Sequence, residues 1–176
     1  MVQEVPIGPG DDLSSQMESG CGKFYSIDVR SDYGLFTLDH GRIYMVVSER
    51  LDKALSLING VASAGMDLMC VSRMHPDMMR ERYPLQDMHC VWLSETGSGP
   101  RLAPDEMTRI KDTVSEFVSQ RKNAVVVLDG LEYISLFTDF RSLNIFFEEL
   151  NDMVMASRSI LLIPVDPRLF DPCQLA

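Results

Sequence analysis

Two periods alternate along this chain. Short, almost wholly apolar runs recur at residues 43–47 (IYMVV), 67–72 (DLMCVS), 88–93 (MHCVWL), 124–128 (AVVVL) and 160–163 (ILLI). Runs of this length, rich in β-branched residues, read as strands buried on both faces of a parallel sheet. Between them the apolar positions change to helical spacing. Leu51, Ala54, Leu55, Ile58 and Val61 share one face of a helix expected over 49–64, capped by Ser48 and stopped by Gly65. A short helix over 76–82 has Pro76 at its first position and Asp77 at its positive end. A longer one is expected to start in the same way at Pro104-Asp105-Glu106, with Met107, Ile110, Val114, Phe117 and Val118 as its stripe. Another spans 141–157, with Leu143, Phe146, Phe147, Leu150, Met153 and Val154 inward. Residues 131–140 form a connection with room for one helical turn, and the last strand should end before Pro164. This alternation implies parallel strands joined by crossovers, with helices on both faces: a three-layer, doubly wound α/β domain.

The beginning of the chain differs. Residues 1–22 have no lysine, arginine or apolar period and are expected to be a flexible tail or linker remnant, leaving a single α/β domain over 23–176. Segments 24–29 and 35–38 read as short strands around a turn at 30–34, either a hairpin or an edge strand, which could protect the sheet or pair between chains.

Composition narrows the function classes. A net charge of −10 and a pI near 4.7 disfavour a nucleic-acid partner. No apolar run nears the roughly 20 residues of a membrane span, and no secretory leader is visible, so a cytoplasmic protein without membrane insertion is expected. Cys21, Cys70, Cys90 and Cys173 are irregularly spaced, and Cys70 and Cys90 lie in strands as small apolar residues. The twelve methionines, where helical, fall on apolar stripes and are expected mainly to fill the core.

Candidate chemistry gathers at the carboxyl ends of the strands, where ligands bind in open α/β sheets. Asp129 with Glu132 could hold a metal or serve as acid and base; alternatively Asp129 caps its Asp-Gly turn and Glu132 is solvated or paired with an arginine. Arg73 could bind an anion at the same edge or form an ion pair with Asp129, Glu95 or Asp166. These five residues and Ser48 make up the candidate ligand-binding set. No catalytic residue or metal site is assigned, and no cofactor is expected. His75 is expected to shape a helix start, His89 to take a core or edge place, and Thr96-Gly97-Ser98-Gly99 to be a plain connection.

The segments Val71-Ser72-Arg73-Met74-His75-Pro76, Cys90-Val91-Trp92-Leu93-Ser94, Val127-Leu128-Asp129-Gly130-Leu131-Glu132-Tyr133 and Ile163-Pro164-Val165-Asp166-Pro167 carry a resemblance over about 43–172. They resemble, in order and spacing, the blocks of an archaeal family termed domain of unknown function 835. That resemblance implies association with sensor or signalling modules such as PAS domains and histidine kinases, and no known reaction. More remotely the blocks are similar to RecA-like ATPases related to KaiC. Asp129 takes the place of the Walker B aspartate, which implies the strand order 43, 160, 125, 68 and 88. The phosphate loop does not match: Val47-Ser48-Glu49-Arg50-Leu51 has no glycine or lysine, and Glu49 would repel phosphate.

A RecA-like frame without a Walker A motif is therefore expected. The leading functional expectation is a non-catalytic signalling or regulatory module, more an interaction module than an enzyme. It would act through contacts with signalling proteins or itself, or by sensing a small ligand. The alternative is an enzyme binding a nucleotide or phosphate ligand through the strand-end carboxylates.

Overall fold

The computed structural model describes residues 26–47, 51–83 and 88–169. The N-terminal tail, Ser48 and the Glu49-Arg50 part of the phosphate-loop position lie outside the described residues, as do Cys21 and Cys173.

Strands β1 (Ser26–Ser31) and β2 (Gly34–Asp39) form an antiparallel hairpin that is a separate two-stranded sheet. It is not an edge of the main sheet. It packs on helix α1 (Leu51–Ser63), with Val29 and Leu38 buried in the core beneath that helix. Gly60 makes this contact possible: a β-carbon there would collide with the Arg30 carbonyl oxygen and lie 2.7 Å from Val29 Cγ1.

The main sheet comprises β3 (Arg42–Val47), β4 (Asp67–Ser72), β5 (His89–Trp92), β6 (Ala124–Asp129) and β7 (Ile160–Val165). The order is β3-β7-β6-β4-β5, parallel throughout. This is the expected order. In the central strands alternate residues serve two cores. Met69, Val71, Val126, Leu128, Leu161 and Ile163 pack beneath α3 (Met107–Ser119), α4 (Leu131–Ile134) and α5 (Phe140–Ser157). Leu68, Cys70, Val125, Val127, Ile160 and Leu162 pack beneath α1, α2 (Pro76–Arg82) and the hairpin.

Three local expectations are corrected. First, β7 continues through Pro164 to Val165. Its ladder with β6 ends at Val127↔Leu162, so the missing proline N–H interrupts no bond on that side. Second, α3 begins at Met107, not Pro104, because Glu106 turns its carboxylate back to accept from Ala103 N at 3.2 Å and clasps Arg109 at 2.7 Å. Third, Met78 and Met155 are exposed, although Met69 and Met79 fill the core.

One consequence concerns Gly60. In a solvated helix, replacing glycine by alanine gains about 1 kcal/mol. Here the added methyl overpacks a backbone contact, which costs about 1–3 kcal/mol. Gly60→Ala is therefore expected to lower stability in urea unfolding; a higher midpoint would show that the hairpin does not press on α1.

Candidate functional site

Chain direction around the sheet fixes where a ligand crevice belongs. From β4 the chain leaves to α2 on one face; from the neighbouring β6 it leaves to α4 and α5 on the other. A crevice opens where adjacent strands part in this way. The carboxyl ends of β4 and β6 bring Ser72, Arg73, Asp129, Gly130, Glu132 and Tyr133 to that place.

The crevice is closed from within. Ser72 and Asp129 are the last register pair of the β4–β6 ladder. The Ser72 hydroxyl donates to Asp129 Oδ2 at 2.7 Å and accepts from Met74 N at 3.0 Å. Asp129 therefore does not cap its own Asp-Gly turn; that turn is made by the Gly130 carbonyl, which accepts from Tyr133 N and Ile134 N. On the α1 side Asp129 lines, together with Ile58, Cys70, Met74, Met79 and Pro164, a cavity of about 10 Å³. That volume holds at most one water molecule.

Arg73 seals the crevice from above. Gly130 has φ 132°, a conformation left to glycine, and a β-carbon on it would lie 3.2 Å from Arg73 Cγ and 3.0 Å from Leu93 Cδ2. The arginine stem thus lies over the Gly130 backbone, and its guanidinium stacks 4.2 Å from the centre of the Tyr133 ring. Among the described residues no carboxylate forms an ion pair with Arg73, so the expected pairing with Asp129, Glu95 or Asp166 is not made. Asp166 is held instead by Arg168, at 2.9 and 2.6 Å, which keeps its carboxyl below the usual range. Glu95 contributes its backbone N–H to the Tyr133 hydroxyl at 3.3 Å, and its side chain is exposed.

Aromatic side chains brace this edge. Trp92 Nε1 donates to the Arg73 carbonyl at 3.2 Å, and the His75 ring meets Trp92 edge-on at 4.8 Å. His75 also accepts from Asp77 N at the start of α2, the expected helix-start role. His89 is exposed on edge strand β5, stacked on Phe117. Tyr133 contacts Phe137 edge-on at 5.1 Å. Ser72, Trp92, Tyr133 and Arg168 were not among the expected site residues; each is identified by strand register or by a contact across the edge, which spacing does not reveal.

Electrostatics agree with a closed arrangement. Burial pushes the Glu132 carboxyl above its ordinary value of 4.5, and the Asp129 charge adds to this. Burial raises the Cys70 thiol well above its ordinary range, with Asp129 adding again, so Cys70 is no nucleophile. No group of three or more metal-ligating side chains occurs among the described residues.

A family model described as "Protein of unknown function (DUF835)" matches residues 47–176. The chain belongs to the DUF835 family. No protein of curated function matches it. Among solved structures, the DUF835 chain is similar to a KaiC-like protein of the hyperthermophilic archaeon Pyrococcus horikoshii OT3. The TM-score is 0.55 at 13% identity, over 73% of this chain and 64% of that one. The likeness establishes a KaiC-like fold, and the chain spans less than two thirds of that protein's length. Among the described residues no helix is long and apolar enough to cross a membrane.

Two outcomes follow from this geometry. Ser72→Ala leaves Asp129 without its buried partner, and should cost about 1–3 kcal/mol; a double-mutant cycle with Asp129→Ala in urea would report the coupling. For Glu132 the sign runs opposite to an ordinary ion-paired carboxylate. Its raised folded pKa gives stability present below 4.5 and lost as pH rises through the folded value. Glu132→Gln should therefore stabilise the protein at pH 7 and have no such benefit at pH 3; equal effects at both pH values would remove the desolvation account.

Proposed function

We propose that this DUF835 protein is a non-catalytic signalling or regulatory module that works through protein contacts. The observation that carries this reading is the filled crevice: Asp129 is hydrogen-bonded to Ser72 beside a cavity of about 10 Å³. A nucleotide needs a concave site of several hundred Å³, and phosphate needs backbone donors and a cation. The frame is that of a KaiC-like protein, while Val47-Ser48-Glu49-Arg50-Leu51 supplies neither glycine nor lysine at the phosphate-loop position. Sensing of a small polar ligand is a second reading. It is favoured by an open groove of about 460 Å³ bordered by Glu95, Arg101, Asp105, Glu106 and Arg109. The enzymatic alternative has no comparable support: Asp129 and Asp166 are engaged by Ser72 and Arg168, and Glu132 is half-buried.

Thermal unfolding against nucleotides and cyclic dinucleotides, with and without magnesium, tests this reading. A ligand at 100 times its dissociation constant stabilises by about 2.7 kcal/mol, readily seen as a raised melting temperature. No magnesium-dependent shift with any nucleotide is expected. Such a shift, abolished in Asp129→Asn, would overturn the non-catalytic reading. A magnesium-independent shift reduced by Arg101→Ala or Arg109→Ala would favour ligand sensing at the groove.

A further inference from the structure

The small cavity beside Asp129 is lined by sulfur-bearing residues. Cys70 from β4, Met74 from the turn after it and Met79 from α2 all border it, with Asp129 at one side. Its volume of about 10 Å³ admits one small sphere. Sulfur is concentrated on this face of the sheet. Among the described residues the core beneath α1 and α2 holds six sulfur side chains, Met66, Cys70, Met74, Met79, Met88 and Cys90, against three in the larger core on the other face. Space filling does not demand this, since leucine and methionine exchange in cores at small cost.

Cys90 adds a route inward. It is the register partner of Cys70 on the neighbouring strand β5. Partners in register stand on one face of the sheet, on strands about 4.8 Å apart. Both thiols are free. Cys70 is 1% exposed, whereas Cys90 is half-buried. A thiol within reach of solvent thus adjoins one sealed in the core.

The donor set selects the ion. Hard cations need several oxygen ligands, and the Asp129 carboxylate already accepts from Ser72. Structural zinc takes four ligands, as a rule cysteine, histidine or carboxylate. No group of three such side chains able to hold a metal occurs among the described residues. Thioethers beside a thiolate suit a soft ion such as copper(I).

We propose that Cys70, Met74 and Met79 bind one copper(I) ion in this cavity, handed inward by Cys90. Binding exchanges the Cys70 proton for the metal. The S–H bond breaks, its electron pair forms the Cu–S bond, and the proton leaves to solvent; no electron is transferred. Cys90 releases its proton on taking the ion and regains it on passing the ion to Cys70. One thiolate, two thioethers and Cu⁺ make a neutral complex, which avoids the cost of burying a net charge. The Asp129 charge beside the cavity favours the incoming cation. Metal–sulfur bonds are about 2.3 Å long, so the sulfurs close in on the ion, and the three rotatable bonds of methionine allow this. The ion ties α2 to β4. This site neither needs nor excludes the protein-contact reading above.

Anaerobic titration of the whole chain with copper(I) against bicinchoninate, a coloured copper(I) chelator, tests this. The chain should withdraw one equivalent, and should still do so in Cys21→Ser/Cys173→Ser, which removes the two thiols outside the described residues. X-ray absorption should show copper surrounded by sulfur. Met74→Leu/Met79→Leu keeps volume and apolar character, so the melting temperature should change little, while copper(I) affinity falls about tenfold or more. Cys70→Ala should abolish binding; if it unfolds, the methionine variant alone carries the test. Cys90→Ser should slow uptake without changing equilibrium affinity, and unaltered uptake would overturn the relay. The site itself is overturned if the chain withdraws no copper, or if Cys21→Ser/Cys173→Ser abolishes the binding. It is equally overturned by a copper shell of nitrogen and oxygen alone, or by an affinity that ignores the methionine changes. Loss of the copper site leaves the non-catalytic reading in place, since only the nucleotide experiment bears on that.

Discussion

Burial of β4, β6 and β7 on both faces is the constraint from which the rest of this structure follows. Every residue of β7, and all but the first of β4 and the last of β6, is buried. A sheet cannot leave either side of such strands in water, since each large apolar side chain contributes about 1.5–3 kcal/mol when covered. Helices must therefore lie on both faces, and the chain can approach the sheet only at strand ends. The ends of the two central strands are informative: Asp129, the last residue of β6, and Ser72, the buried last residue of β4, are polar and meet at the carboxyl edge. The boundary between apolar sheet and polar edge is thus itself a hydrogen bond across the two central strands.

Much of this was legible in the sequence because the strands and helices declare their periods locally. The run from Asp67 to Ser72 and the proline-led helix from Pro76 to Arg82 have the expected bounds. The misjudgements arose where a local rule met a contact from elsewhere. Proline in a central strand is excluded only where the ladder on the side its N–H would face continues past it, and the sequence does not reveal that β6 has parted from β7 by Pro164. Pro104 resembles a helix start, but the Glu106 carboxylate settles the chain into a turn first. At the edge, Asp129, Glu132 and Arg73 could be picked out as charged residues after strands. Their partners Ser72 and Tyr133 could not, because they depend on register and on how the Arg73 stem crosses Gly130.

Asp129 illustrates why position alone does not define chemistry. It stands at the end of a central strand of the KaiC-like frame, where a ligand-binding residue is expected. A carboxylate that is to hold a metal must present lone pairs to an open, polar volume with further oxygen ligands. Here one oxygen accepts from a fully buried hydroxyl, and the side facing α1 is packed by Met74, Met79 and Pro164. The Ser72 hydroxyl is fixed in turn by Met74 N. Opening this volume would break two hydrogen bonds and displace two methionines.

Closing the crevice also changes what the outer surface offers. Had Arg73 turned inward to Asp129, both charges would have been neutralised and the edge would have been blunt and polar. Instead Asp129 is satisfied by a neutral hydroxyl, and the guanidinium lies on Tyr133 near Glu132, whose charge it favours. The cation is thereby fixed in place while its hydrogen-bonding edge stays available. The same tyrosine passes that order to Phe137, and the buried Ile134 anchors the turn that carries Leu136 and Phe137 outward. The choice of partner for Asp129 thus closes this edge without using Arg73.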